Sequence, residues 1–497
     1  MTLITSITNM YQPIHFMNFL EGAYTDAPII NIPQNALYVQ DNCITSYKMG
    51  AILKRPGYEN LGSALQAGKS VLGLHNFRQS ASVQKALATI DDATSDDTQL
   101  FYSTGAAWTE ITDAETAWAN KAGINVEFCD FIGYCIMVGW GATDGFLPPA
   151  SLTGTTFSTS TQVTSMPSAK YITRYRDKVF IGNCDISATA YPYRVYYSSV
   201  PSAGAISWTT ATDFFDVDYA EEIKGIATNW DMLAVFTEYS CYFYNENSLY
   251  KAFDVGCSNH RTIQNSGAYM FWADMDGVWV STGGRPQNIA GRVIDFIRNA
   301  DMRNAFATVV DEEYHLYLGT VTVNGVTYTN CDLIYNIPTS TWRWHEYADN
   351  FKTFTTFYVS GEDYLVGGDV SGDVHRMGKY TDSTLLTSDD GTPISSWFQT
   401  GALSLGDPSI YKTLGKILAY ADRGQGLQLK ARVVDRNNMA VTKFKPLMTL
   451  TGFITEKQVN PDRGYFLQIE GSENGSNPYW SFFGFTANIG VEKRLKT

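Results

Sequence analysis

Two aspartates two residues apart, Asp274 and Asp276, stand ahead of Gly283-Gly284-Arg285 in "FWADMDGVWVSTGGRPQNIA" (271–290). A carboxylate pair beside a glycine turn and a guanidinium could serve acid–base chemistry or anion binding. The same stretch also reads as a hairpin, because "MDG" between "YMFWA" and "VWVST" is a tight-turn signal flanked by aromatic and β-branched runs. A phosphate-cradling loop would need Lys-Ser or Lys-Thr and a helix after its glycines, and none follows. The spacing predicts a hairpin turning at Gly277, followed by a Gly-Gly turn at Gly284.

The remaining chemical candidates are weaker. "DVSGDVHRMG" (369–378) lacks the alternating acidic ligands and terminal glutamate of a calcium-binding hand. The acidic runs "FFDVDYAEE" (214–222) and "DDATSDD" (91–97) read as solvated loops. The turns "STGAAW" (103–108) and "SAGAISW" (202–208) lack the aspartate that marks sialidase-type propeller turns. Arg174, Arg176, Arg194, Arg261, Arg285 and Arg292 show no spacing that would gather them on a substrate carboxylate. Neither a Ser-His-Asp nor a Cys-His arrangement can be read from the linear order. The expectation is a protein without enzymatic activity, cofactor or metal.

Composition narrows the class. The seven cysteines (43, 129, 135, 184, 241, 257, 331) include no close Cys-x-x-Cys pair, against a disulfide framework or structural zinc; most read as small buried apolar residues. Aromatics make up 14% of the chain against 17% charged residues, which favours strands. No apolar run reaches membrane-spanning length and the start lacks a signal-peptide pattern, so a soluble, cytoplasmically synthesised protein is expected. Charge is uneven. Residues 74–390 hold 19 Lys+Arg against 38 Asp+Glu (net −19), whereas residues 391–497 hold 13 against 8 (net +5). An acidic middle is a poor surface for gripping nucleic acid.

A turn followed by a short aromatic-aliphatic strand recurs along that middle. It appears as "SVQKALATI" (82–90), "DFIGYCIMVG" (130–139), "YRDKVFIGN" (175–183), "NWDMLAVFT" (229–237), "SGAYMFWA" (266–273), "EEYHLYLGT" (312–320) and "GEDYLVGG" (361–368). The mean step of about 46 residues is that of a four-stranded propeller blade. A second element, an aromatic pair and a polar turn before Trp, reads as a blade-closing hairpin in "LFYSTGAAWTEI" (100–111), "VYYSSVPSAGAISWTT" (195–210) and "LIYNIPTSTWRWHE" (333–346). The predicted fold is all-β: a β-propeller-like domain of six or seven blades over 71–385, an extended N-terminal arm (1–70), and a small sandwich-like β domain (386–497). A pair of β-sandwiches could mimic the same pattern.

Two stretches resemble a known family. "AILKRPGYENLG" (51–62) follows an arm containing "LYVQDN", and "GCSNHRTIQNSGAYMFWADMDGVWVSTGGRPQNIAGRVIDFI" (256–297) joins a Gly-Cys, an Arg-Thr-Ile, a hairpin ending in Asp-Gly-Val, a Gly-Gly turn and a short helix. This order resembles the tail nozzle (tail tubular, or packaged-DNA stabilisation) proteins of short-tailed bacteriophages. The resemblance implies a virion protein in a six-fold ring below the portal and adaptor, meeting tail fibres or spikes and touching the genome only weakly and transiently. It marks Lys54, Arg55, Pro56, Gly57, Arg261, Gly277 and Gly284 as motif or assembly residues. Within "LKRPG", Pro56 and a positive-φ Gly57 should form a turn, with Arg55 free to pair with a carboxylate. The alternative class is a receptor- or carbohydrate-binding propeller, such as a tail fibre module, a lectin or a glycosidase-like protein.

Overall fold

A computed structural model describes residues 12–491 apart from 47–49, 106, 219–220, 360, 423–425, 435–442 and 476–478. Parts of the acidic stretch 214–222 and of the C-terminal hairpins therefore lie outside the described residues. Seven small antiparallel sheets follow one another: blade 1 (71–110), blade 2 (125–158), blade 3 (168–216), blade 4 (225–253), blade 5 (264–288), blade 6 (306–346) and blade 7 (351–377). The first strand of each blade is innermost. Val71–Arg78 contacts Asn125–Phe131 on one side and Phe351–Val359 on the other, which closes the ring. Blades 4 and 5 meet through the 3-10 turn His260–Thr262.

The recurring turn-and-strand unit of the sequence is the second strand of every blade. That strand is pressed on both faces by neighbouring blades, so it reads as a nearly continuous apolar run rather than a strict alternation. Tyr134–Gly141, Lys178–Ile186 and Met232–Phe236 are buried along most of their length. A separate apolar core fills each of the seven blade-to-blade interfaces, from Phe77/Leu87 against Val126/Met137 round to Phe357/Val366 against Val71/Ile90. The closing element is not contiguous in sequence. Tyr58–Asn60 pairs antiparallel with Val374–Met377 as the outer strand of blade 7. Across that pairing Arg376 Nη2 meets Glu59 Oε1 at 2.5 Å, a favourable cross-strand charge pair.

The second body is a sandwich, and it crosses the expected divisions 1–70, 71–385 and 386–497. One sheet joins Gln12–Met17, Cys43–Thr45 and Ile52–Lys54 to Ser481–Val491, Lys412–Asp422 and Ile454–Gly464. The facing sheet holds Leu37–Asp41, Ser396–Thr400, Phe466–Glu473, Gln428–Val434 and Lys445–Thr449. Between them lie Phe16, Leu37, Ile52, Phe398, Ile417, Leu429, Ile469, Trp480 and Phe485. The facing sheet is continuous with blade 6 through the parallel pairing of Asp41 with Trp344, giving nine strands in one sheet. The arm is thus the stitching between propeller and sandwich. Among the described residues no helix is long and apolar enough to cross a membrane.

Candidate functional site

The "LKRPG" corner lies at the junction of the two bodies. Lys54 ends a sandwich strand, and its Nζ lies 2.8 Å from Glu473 Oε2 with both side chains fully buried. Arg55 forks onto Asp389, Nη1 to Oδ1 at 2.8 Å and Nη2 to Oδ2 at 2.5 Å, and Nη2 also donates to the Glu346 carbonyl at 2.9 Å. Its Nε donates to Asn42 Oδ1 at 2.7 Å, and the Tyr347 ring lies 4.8 Å from its guanidinium. Burial works against the charge on Arg55, but Asp389 more than offsets it and the pKa rises. Asn42 holds a left-handed backbone (φ 52°). It accepts from the Glu346 amide at 2.9 Å and donates to the Ser395 carbonyl at 2.8 Å. One arginine and one asparagine thus tie the arm, blade 6 and the start of the sandwich together.

Gly57 departs from expectation. It does not take a positive φ; glycine is required because a Cβ would sit 1.9 Å from the Ser388 carbonyl oxygen. Pro56 precedes it through a trans bond. The corner is set by close backbone approach rather than by a left-handed turn.

The 256–297 motif spreads over two places. Asp274 Oδ1 accepts the amides of Asp276 (2.8 Å) and Gly277 (2.9 Å), closing the turn between Tyr269–Ala273 and Val278–Ser281. The carboxyl is held above its usual pKa, chiefly by burial. At Gly277 a Cβ would lie 2.1 Å from Asn288 Nδ2. The turning at the Gly-Gly pair falls on Gly283 (φ +98°), against the Trp230 ring, while Gly284 has open space and an ordinary φ. Gly284 contributes a carbonyl to the Ser281 hydroxyl at 2.7 Å. Arg285 is exposed. Asp274 belongs to the hairpin, and the pair does not converge with Arg285 on a ligand. Asp274→Ala is therefore expected to lose about 1 kcal/mol of stability, and Asp274→Asn to lose little. Turnover of a glycan, peptidoglycan or ester substrate that Asp274→Asn abolishes would overturn this assignment.

Arg261 stands at the propeller axis. Its Nη2 donates to the Lys352 carbonyl of blade 7 at 2.8 Å, its Nη1 reaches Asn125 Oδ1 of blade 2 at 3.3 Å, and its guanidinium lies over Phe306 of blade 6. Burial pulls the pKa of Arg261 and of the adjacent His260 down, with Glu127 opposing. Together with His75 these residues line an axial cavity of about 180 Å³. Arg261, from the turn between blades 4 and 5, fastens blade 2 to the consecutive blades 6 and 7.

A group of residues that sequence reasoning did not single out lies between blades 6 and 7 and the sandwich. A cavity of about 310 Å³ there is lined by Glu313, His315, Arg343, His345, Tyr347 and apolar neighbours such as Leu365. Arg343 forks onto Glu313 at 2.7 and 2.5 Å. His315 Nδ1 lies 2.7 Å from Asp332 Oδ2, to which the Tyr347 hydroxyl also donates. Burial alone would raise the Glu313 pKa, but Arg343, His315 and Asn336 outweigh it and hold it at about 2. Burial and the charges of Arg343, Arg55 and His315 push His345 well below its ordinary value, and its Nε2 has no partner. The available signal was Glu-x-His in "EEYHLY" and Arg-x-His in "WRWHE", polar residues two apart on one strand face. No serine or cysteine lines this cavity. All seven cysteines are buried and unpaired, and burial raises their thiol pKa values, the opposite of an activated nucleophile.

The strand register defines a seven-bladed β-propeller stitched to a β-sandwich. No family model matches the chain, and no curated protein matches it. Similar solved structures include the AfRom2 CNH domain, at 10% identity and a TM-score of 0.37, covering 65% of this chain and 100% of that one. Another is BBS1N in complex with ARL6DN from a lead-soaked crystal, at 10% identity and a TM-score of 0.38, covering 67% and 99%. At such scores the likeness adds nothing to an assignment that stands on the register.

Proposed function

We propose that the chain is a structural ring subunit of the tail nozzle of a short-tailed bacteriophage, extending the portal–adaptor channel and passing the genome without catalysis. The observation that carries this reading is where the family-like motifs sit. The 51–62 motif ties the two sandwich sheets through Lys54–Glu473 and holds the propeller–sandwich junction through the buried Arg55–Asp389 pair, and the 256–297 motif sends Arg261 across the propeller axis. Domains within one chain move relative to each other by default. Here a nine-stranded sheet and the buried Arg55–Asp389 pair cross the junction, as a stiff channel wall requires. An axial cavity of about 180 Å³ cannot admit a duplex whose major groove alone is about 12 Å wide. The genome would therefore run between subunits, with head-to-tail contacts closing the ring.

The net charge of −19 on residues 74–390 suits a wall that DNA slides past, acting over a screening length of roughly 8 Å. Purified protein is expected to form six-fold rings by electron microscopy, alone or with the adaptor, and to bind duplex DNA only weakly even at low salt. Sub-micromolar, strongly salt-dependent DNA binding would mean a genome-gripping plug instead. Monomers that score on a glycan array would favour the receptor-binding alternative.

A further inference from the structure

We propose that Asp349, Asp369 and His375 bind one divalent transition-metal ion of the zinc class at the seam where Tyr58–Asn60 closes blade 7. Their ligand atoms all lie within 4.8 Å of one another. His375 Nε2 is 3.5 Å from Asp369 Oδ2 and 3.8 Å from Asp349 Oδ2. These separations are long for a charge-assisted hydrogen bond, which closes to about 2.7–2.9 Å. They approach the edge of a tetrahedron about a zinc ion, about 3.4 Å for bonds near 2.1 Å.

The ring is weakly held on the side that faces the carboxylates. His375 is 1% exposed, its Nδ1 has no hydrogen-bond partner, and its Nε2 faces the two carboxylates at those long distances. On the Nε2 side the buried ring has only the long 3.5 Å hydrogen-bond contact to Asp369, which a cation between Nε2 and the carboxylates would replace with a metal bond; Nδ1, on the far side of the ring, is unaffected by it. The carboxylates are already oriented. Asp369 Oδ1 accepts the amides of Ser371 (2.9 Å) and Asp373 (2.8 Å), leaving Oδ2 toward the histidine. Tyr58 donates its hydroxyl to Asp349 Oδ2 at 2.7 Å. Such outer contacts are what fix ligands around a metal. The Asp349 side chain, 35% exposed, provides the path to solvent and a place for a water ligand.

The donor set selects the metal class. One imidazole and two carboxylates suit zinc and its neighbours, whereas calcium takes six to eight oxygens. The other two clusters of ligand-type side chains are less open to an ion. Asp130 already bonds His75 at 2.7 Å and the Arg78 amide at 2.9 Å, beside the buried Cys135 thiol. Asp92 is taken up by Thr94 and Ser95. Asp349 stands far from "DVSGDVHRMG" in the chain, so no calcium-loop pattern could display it.

The test is equilibrium dialysis of the chelator-stripped full chain against zinc chloride, with thermal melts in parallel. One zinc ion per chain is expected, with affinity falling about tenfold or more in Asp349→Asn and in His375→Gln, and unchanged in His75→Gln. Zinc should raise the melting temperature of the parent and not of Asp349→Asn, a surface variant that still accepts from Tyr58. If His375→Gln does not fold, Asp349→Asn alone decides. Absence of saturable binding, equal binding by parent and Asp349→Asn, or tighter calcium than zinc binding would each overturn the proposal. None of these outcomes depends on whether the chain forms a ring.

Discussion

Replacing Arg55 with alanine is expected to cost about 3–5 kcal/mol of folding stability, read as a drop in the urea midpoint. The reason is less the pair that is lost than the charge that remains. Asp389 is 3% exposed, and truncating Arg55 strands its carboxylate without the two guanidinium bonds. Asn42 Oδ1 and the Glu346 carbonyl lose a donor at the same time. If the stranded charge dominates, Asp389→Ala added to Arg55→Ala should cost much less than the sum of the single variants. Because the corner joins the two bodies, ring formation should fall with stability while DNA affinity stays near that of the parent. A loss under 1 kcal/mol would show the pair to be replaceable by water. Intact rings with altered DNA binding would place Arg55 on the DNA path instead.

That corner also shows how far the sequence could be read. Arg55 seeking a carboxylate was legible, because arginine beside Pro-Gly in a largely apolar segment must find a partner. Which carboxylate was not legible, since Asp389 lies 334 positions away and in an inconspicuous "SDD". Gly57 was legible as a glycine requirement, but the cause is the Ser388 backbone and not φ. The blades announced themselves through their second strands, whose two-sided burial imposes apolar runs on local sequence. The sandwich did not, because its pairings, such as Gln12 with Ile489 and Ile52 with Phe482, join opposite ends of the chain. The Glu313–Arg343–His345 group fell between these cases. Each half was visible as polar residues two apart, but only the register that sets Asp332 opposite His345 and Tyr314 opposite Tyr335 puts the halves on one face.

Acid is expected to destabilise the protein through that same group, in two separable windows. Glu313 has a folded pKa of about 2 against an ordinary value of 4.5, so its contribution is complete above pH 4.5 and disappears as pH falls toward 2. The gap corresponds to about 3 kcal/mol. The carboxylate is 19% exposed, so solvent screens it little. Glu313→Gln should flatten the stability profile below pH 4.5 while lowering stability at neutral pH, because Arg343 then lacks its partner. His345 acts higher. Burial holds it neutral in the folded protein, whereas the unfolded chain protonates it below about pH 6.5; stability therefore declines as pH falls from 6.5 toward the depressed folded value. His345→Gln should weaken that upper decline, the remainder coming from His260, whose pKa burial also lowers, and leave the lower one. Urea midpoints across pH 3–8 separate the two. Glu222, also held at about 2, opposed by burial but favoured by Lys224 and Lys170, adds a smaller share to the lower window because its side chain is 38% exposed. An unchanged slope below pH 4.5 in Glu313→Gln would mean that Arg343 stabilises the fold by packing, not by holding a buried carboxylate ionised.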